Sequence, residues 1–112
     1  MSMRFAAGLL VCGAALLTSP ALAEPPHIRV GEWQSQWGQA ACLERVEDVM
    51  RSVGFVDDLD VDHDDVEGNQ GDYSAETICR EDGLVLAIVA GPDWAEAGRL
   101  RDGLLQRMLS LD

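Results

Sequence analysis

Apolar residues spaced by four, three and four give the chain its clearest pattern. In "GQAACLERVEDVMRSVGF" (38–55), Cys42, Val46, Val49 and Val53 fall on one face of a helix. Glu47 and Arg51, four apart, pair on the other side. Gly54 stands where a left-handed residue ends such a helix, and Trp37 is placed to pack over Cys42 just before it starts. A second stripe, Ala97, Leu100, Leu104, Met108 and Leu111, predicts a helix in "GPDWAEAGRLRDGLLQRMLSLD". Asp93 caps it, Glu96 completes a D-x-x-E capping box, and Pro92 blocks continuation of what precedes. Gly98 and Gly103 weaken this helix by roughly 1 kcal/mol each relative to alanine, a cost explained by close packing on a sheet or simply tolerated.

Elsewhere the period is two. "HIRVGEW" (27–33) alternates weakly and reads as a short strand. In "DYSAETICRE" (72–81), Tyr73, Ala75, Thr77 and Cys79 share one face, and Ser74, Glu76, Ile78 and Arg80 the other. "EDG" (81–83) is a turn, and "LVLAIVA" (84–90) is continuously apolar, as a buried central strand is. The two runs make a β-hairpin. The order is strand, helix, acidic connection that holds at most one strand, hairpin, helix. It fits an α+β two-layer sandwich: an antiparallel sheet of three to four strands with two helices on one face.

Residues 1–23 are expected to be a signal peptide. Arg4 gives a positive start, "FAAGLLVCGAALL" (5–17) is apolar, and Ala21-x-Ala23 ends the segment with small residues. The apolar run is shorter than the roughly 20 residues a membrane span needs. Val11 before Cys12 does not fit a lipidation signal. Residues 24–112 are then a single small domain, exported to the periplasm or secreted, with no membrane insertion after cleavage. Two cysteines stay in that domain, Cys42 and Cys79. An even count in an oxidising compartment reads as a disulfide, worth roughly 4 kcal/mol in the loop-entropy account.

The formal charge of the chain is −12, and loss of Arg4 with the leader takes it to −13; there is no lysine. Such a surface repels nucleic acid and anionic membranes and attracts cations and basic proteins. The charge is concentrated in "VDDLDVDHDDVEGNQGD" (56–72), with eight carboxylates. Asp58, Asp60, Asp62 and Asp64 are two apart, and on a strand they would line one face. They are the candidate metal ligands, with Asp65, Glu67 and Asp72 next. Calcium prefers six to eight oxygens. An EF-hand register from Asp58 puts His63 at the glycine position and Asn69 at the bidentate one; a register from Asp60 puts Asp65 and Gly71 there. Both fail, so no resident cofactor is expected, and calcium only weakly. "EGNQGD" (67–72) reads as turn residues before the hairpin.

Other chemistry is thin. His27 and His63 have no zinc-ligand spacing. Ser35, Ser52, Ser74 and Ser110 lack a nucleophile-elbow context, and no catalytic residue is expected. Trp33 and Trp37 offer either a ligand platform or the edge of the core.

The segments "C…V…M…GF" (42–55), "GDYSAETIC" (71–79) and "VAGPDWAEAGRL" (89–100) resemble small secreted bacterial proteins of unknown function. Those have a C…GF helix, a G-x-Y…I-x-C strand and a strand ending in V-A-G-P. The resemblance implies an α/β domain with a Cys42–Cys79 bond, and no activity. The functional expectation is therefore a small periplasmic or secreted binding domain that is not an enzyme. Its partner would be a basic periplasmic protein, met by a solvent-facing acidic surface over 57–67. One concrete form is an inhibitor of a basic periplasmic enzyme. The alternative is a divalent-metal protein that binds calcium through residues 57–72.

Overall fold

The structure is a computed structural model that describes residues 25–111; the expected signal peptide lies outside the described residues. Strand β1 (His27–Gln34) is followed by helix α1 (Gln39–Val53). Four strands come next: β2 (Asp57–Val61), β3 (Asp65–Gln70), β4 (Tyr73–Cys79) and β5 (Leu84–Gly91). Helix α2 (Trp94–Leu109) closes the chain. All five strands form one antiparallel sheet in the order β1-β5-β4-β3-β2. No helix among the described residues is long and apolar enough to cross a membrane.

The α+β class, the single antiparallel sheet and the two helices agree with the sequence pattern. The strand count does not: there are five strands rather than three to four, because the acidic connection holds two. The segment read as a turn, 67–72, belongs mostly to β3. Its local preference is poor, with Gly68, Asn69 and Gln70 in the strand. Tertiary contacts override that preference. Val66 is fully buried. A Cβ at Gly68 would come within 2.5 Å of the Phe55 carbonyl oxygen, so only glycine lets the chain after α1 lie that close. The turn shrinks to Gly71 and Asp72, with Gly71 at φ 61° between the paired residues Gln70 and Tyr73.

Both helices cover the same face. Ala75, Thr77 and Cys79 of β4 stand opposite Val89, Ala87 and Val85 of β5, and all six are buried. They meet Cys42, Val46, Val49 and Met50 from α1 and Ala97, Leu100, Leu104 and Met108 from α2. Leu111 of the expected stripe lies past the helix end and is exposed. Gly54 caps α1 in the left-handed region, its N–H donating to the carbonyls of Met50 and Arg51. Asp93 caps α2 by accepting from the Glu96 N–H at 2.8 Å. The capping box stays half-made, because the Glu96 carboxylate pairs with Arg99 instead. Gly98 meets the close-packing expectation: a Cβ there would sit 2.5 Å from the Arg29 guanidinium. Gly103 has only Val53 nearby, at 3.9 Å, so its cost is tolerated rather than used.

Cys42 in the first turn of α1 is bonded to Cys79 at the end of β4, with Cα atoms 6.0 Å apart. The bond ties α1 to the sheet across 37 positions of sequence. Gln39 adds a 2.8 Å hydrogen bond to the Cys79 carbonyl. Protein comprising residues 24–112 is therefore expected to show no thiol to an alkylating reagent. Cys42→Ala should lower unfolding free energy by about 2–5 kcal/mol in a denaturant titration.

Candidate functional site on the open face of the sheet

The face turned away from the helices is uncovered. An antiparallel sheet with one wet face normally shows polar residues there. On β5 the outward positions are Leu84, Leu86, Ile88 and Ala90, all half-buried. On β1 they are Ile28 and Val30, 55 % and 52 % exposed, and Glu32. Ile78 of β4 lies between Leu86 and Asp65. "LVLAIVA" is an interior strand of the sheet as expected, with its inward side chains buried and its outward ones half-buried.

Across the sheet this face changes character. One row of paired residues runs Val30, Ile88, Glu76, Glu67, Asp60, from β1 through β5, β4 and β3 to β2. Its β1–β5 end is apolar and its far end is acidic. Asp65 and Glu67 are two apart on β3 and so point the same way. Glu76 stands directly opposite Glu67. Asp65, Glu67 and Glu76 each place a carboxylate oxygen within 4.8 Å of the other two. Beside them is a shallow depression of about 350 Å³, bordered by Asp58, Asn69, Ser74, Glu76, Ile88 and Ala90 among others.

Among the described residues no arginine serves this cluster. Arg29 and Arg45 lie over the rings of Trp94 and Trp37. Arg51, Arg80, Arg99 and Arg101 pair with Glu47, Asp82, Glu96 and Asp102. Arg107 donates to the Ser52 hydroxyl. Among the described residues the three carboxylates therefore face one another without an arginine partner. A hydrogen bond shared with Asp65, then burial, then the charges of Asp65, Glu67 and Asp64 push the Glu76 carboxyl up to about 7. Glu67 is also raised, chiefly by the charge of Asp65.

The four aspartates singled out from the sequence do not join this grouping. A bulge lies between Asp57 and Asp60, and Asp58 sits at φ 54°. The expected alternation along one face is broken there. Asp58 accepts a long 3.5 Å bond from Asn69, and Asp60 lies opposite Glu67. Asp62 and Asp64 are past the end of β2, flanking His63, whose ring nitrogens lie 3.2 and 3.8 Å from them. The hydrogen bond to Asp62 raises the His63 imidazole, and the His63 backbone N–H lowers the Asp62 carboxyl. Asp65 corrects the picture of 57–67 as wholly solvent-facing: it is 8 % exposed.

Glu76 escaped the sequence reading because its partner strand did. With 67–72 taken as a turn, nothing stood across from it. The available signal was Val66 and Gly68 alternating with Asp65 and Glu67. The other candidates have structural duties. The hydroxyls of Ser35, Ser52, Ser74 and Ser110 donate to the Gly83 carbonyl, the Val49 carbonyl, the Asn69 side chain and the Arg107 carbonyl. Trp33 and Trp37 pack edge to face at 4.8 Å and close one end of the core. His27 packs against Trp94.

The Glu76 shift fixes a pH dependence. Its folded value lies above its ordinary 4.5, so the folded state holds the proton more tightly than the unfolded chain. Stability from this group is full below about 4.5 and falls as pH rises toward about 7. The groups facing Glu76 are Asp65 and Glu67 on β3, Asp64 in the β2–β3 turn, and Ile88 on β5. None of these supplies a compensating cation. Glu76→Gln should therefore raise the melting temperature at pH 7.5 in chelator-containing buffer, and the gain should vanish near pH 4.

The chain matches no family model, no curated protein and no solved structure, so its functional reading rests on this geometry.

Proposed function

We propose that the chain is an exported binding domain, without catalytic chemistry of its own, that docks a cationic protein through the open face of its sheet. One observation carries the reading: the outward side of β5, with Ile28 and Val30 beside it on β1, is apolar where a solvated sheet face would be polar. Contiguous apolar surface rimmed by charge marks an interaction site more often than a solvent boundary. A partner that covered Val30, Leu86 and Ile88 would gain about 1.5–3 kcal/mol for each side chain fully buried.

The acidic half supports the choice of partner. Asp60, Asp65, Glu67 and Glu76 adjoin the apolar half, and the whole chain is strongly negative. A partner with an apolar ridge flanked by lysines or arginines complements both halves. Charge then steers the encounter, and apolar burial holds the complex. A basic enzyme of the same compartment, held inhibited, is the concrete form. The resemblance to small secreted proteins accords with such a role and supplies no activity that competes with it.

The test is affinity capture from the host's exported-protein fraction, with chelator present throughout. A basic protein should be retained by the wild type at moderate salt. Val30→Glu should abolish retention, since it charges the apolar half. Asp60→Asn with Glu67→Gln should weaken retention and flatten its salt dependence, since exposed charges act over only about 8 Å at physiological ionic strength. Capture that survives both sets of changes would refute the docking surface, as would no specific capture at all.

A further inference from the structure

We propose that the free edge of β1 takes up an extended segment of the basic partner as an added antiparallel strand, with a basic side chain opposite Glu32 and apolar ones opposite Val30 and Ile28. The inference rests on the docking reading and states how the partner enters it. β1 is an outer strand, paired with β5 alone. The Ser35 N–H donates to the Gly83 carbonyl, and these two residues continue the β1–β5 register. Hydrogen-bonded positions alternate along an antiparallel pair. Arg29, Gly31 and Trp33 therefore bond to β5, whereas Ile28, Val30, Glu32 and Gln34 turn their N–H and C=O groups out from the sheet. All four are exposed. Among the described residues only the Val30 carbonyl finds a donor, Arg101 at 3.2 Å. An incoming N–H takes the place of that guanidinium.

Proteins usually blunt such an edge with charge, a bulge or brevity. β2, at the other edge, has all three. β1 has eight residues, an unbroken register and one carboxylate. In strand addition the main chain supplies affinity and alternate side chains supply selectivity. Side chains opposite Ile28, Val30 and Glu32 lie on the open face, so the added strand widens its apolar half. Glu32 is the selective position. It also argues against a second copy of this chain. Pairing β1 with itself about Val30 sets Glu32 against Ile28, and about Gly31 it sets Glu32 against Val30. Pairing about Glu32 opposes two carboxylates, and about Arg29 two guanidinium groups. Like charges directly opposite are destabilising. A basic segment meets none of these conflicts, and the strongly negative chain attracts it.

The test uses purified protein and a short capped peptide in which lysine, valine and valine, in that order, alternate with threonine. Antiparallel pairing sets them opposite Glu32, Val30 and Ile28. In free protein the Val30 and Glu32 amides should exchange with solvent quickly, and those of Gly31 and Trp33 slowly. Peptide near saturation should slow Val30 and Glu32 by about tenfold. N-methylation of the valine opposite Val30 should abolish this protection. N-methylation of the threonine beside it, whose N–H points away from β1, should not. Replacing the lysine by glutamate should weaken binding about fivefold, and Glu32→Lys should restore it for the glutamate peptide. Absence of saturable protection would overturn strand addition, as would equal binding by the two N-methyl peptides. Val30 and Glu32 amides already slow in concentrated protein alone would place a second copy on the edge and overturn it too. No captured partner enters these readouts, so their failure removes strand addition alone, whereas failure of the capture assay removes the docking reading.

Discussion

Both helices lie on one face of the five-stranded sheet, and that one-sidedness shapes the rest of the molecule. The covered face is dry and closely packed, from Phe55 and Val66 through Thr77 to Leu104 and Met108. Even its polar member is absorbed: the Thr77 hydroxyl donates to the Met50 sulfur at 3.5 Å. The other face receives no layer. Its side chains must meet either water or something outside the fold. The apolar half of that face is costly in water, and the acidic half is costly without cations. A cationic partner of the proposed kind would lower both costs.

The two edges of the sheet are treated differently. Strand β2 is short, acidic, bulged and bent at Asp58. These are the features that keep an edge from pairing with another chain. Strand β1 is longer and regular, and its register with β5 is unbroken over His27–Gln34. It is held from the covered side by α2: Arg101 donates to the Val30 carbonyl and Arg29 to the Trp94 carbonyl. Gly31 lets α2 sit close, since a Cβ there would meet Leu105 at 2.5 Å. The apolar half of the open face therefore lies on a well-anchored strand pair, which gives a docking surface the rigidity it needs.

How much of this was legible in the sequence follows from what each signal depends on. Periodicity of 3.6 and 2 depends on the local chain, so both helices, the β4–β5 hairpin and their inward faces were readable from Cys42, Val46, Ala75 or Leu100. The expectation of export and a count of two in residues 24–112 made the disulfide readable. Strand β3 was not, because "DVEGNQ" forms a strand through Phe55 and Val66 packing rather than through its own preference. Losing β3 hid the carboxylate cluster as well. Asp58, Asp60, Asp62 and Asp64 are neighbours in sequence, whereas Asp65, Glu67 and Glu76 are neighbours through a register. Spacing along a chain reports the first kind of proximity and is silent on the second.

The claim that joins these parts is that the open face of the sheet is covered in the protein's working state. Hydroxyl-radical footprinting tests it most directly, comparing purified protein with protein in a native culture of its host. In purified protein Ile28, Val30, Leu86 and Ile88 should be oxidised readily. In the native setting they should be protected, while the exposed Trp94 and Leu109 on α2 keep their reactivity. Equal oxidation of Val30 and Ile88 in the two settings would show the face bare where the protein works, and would contradict the claim.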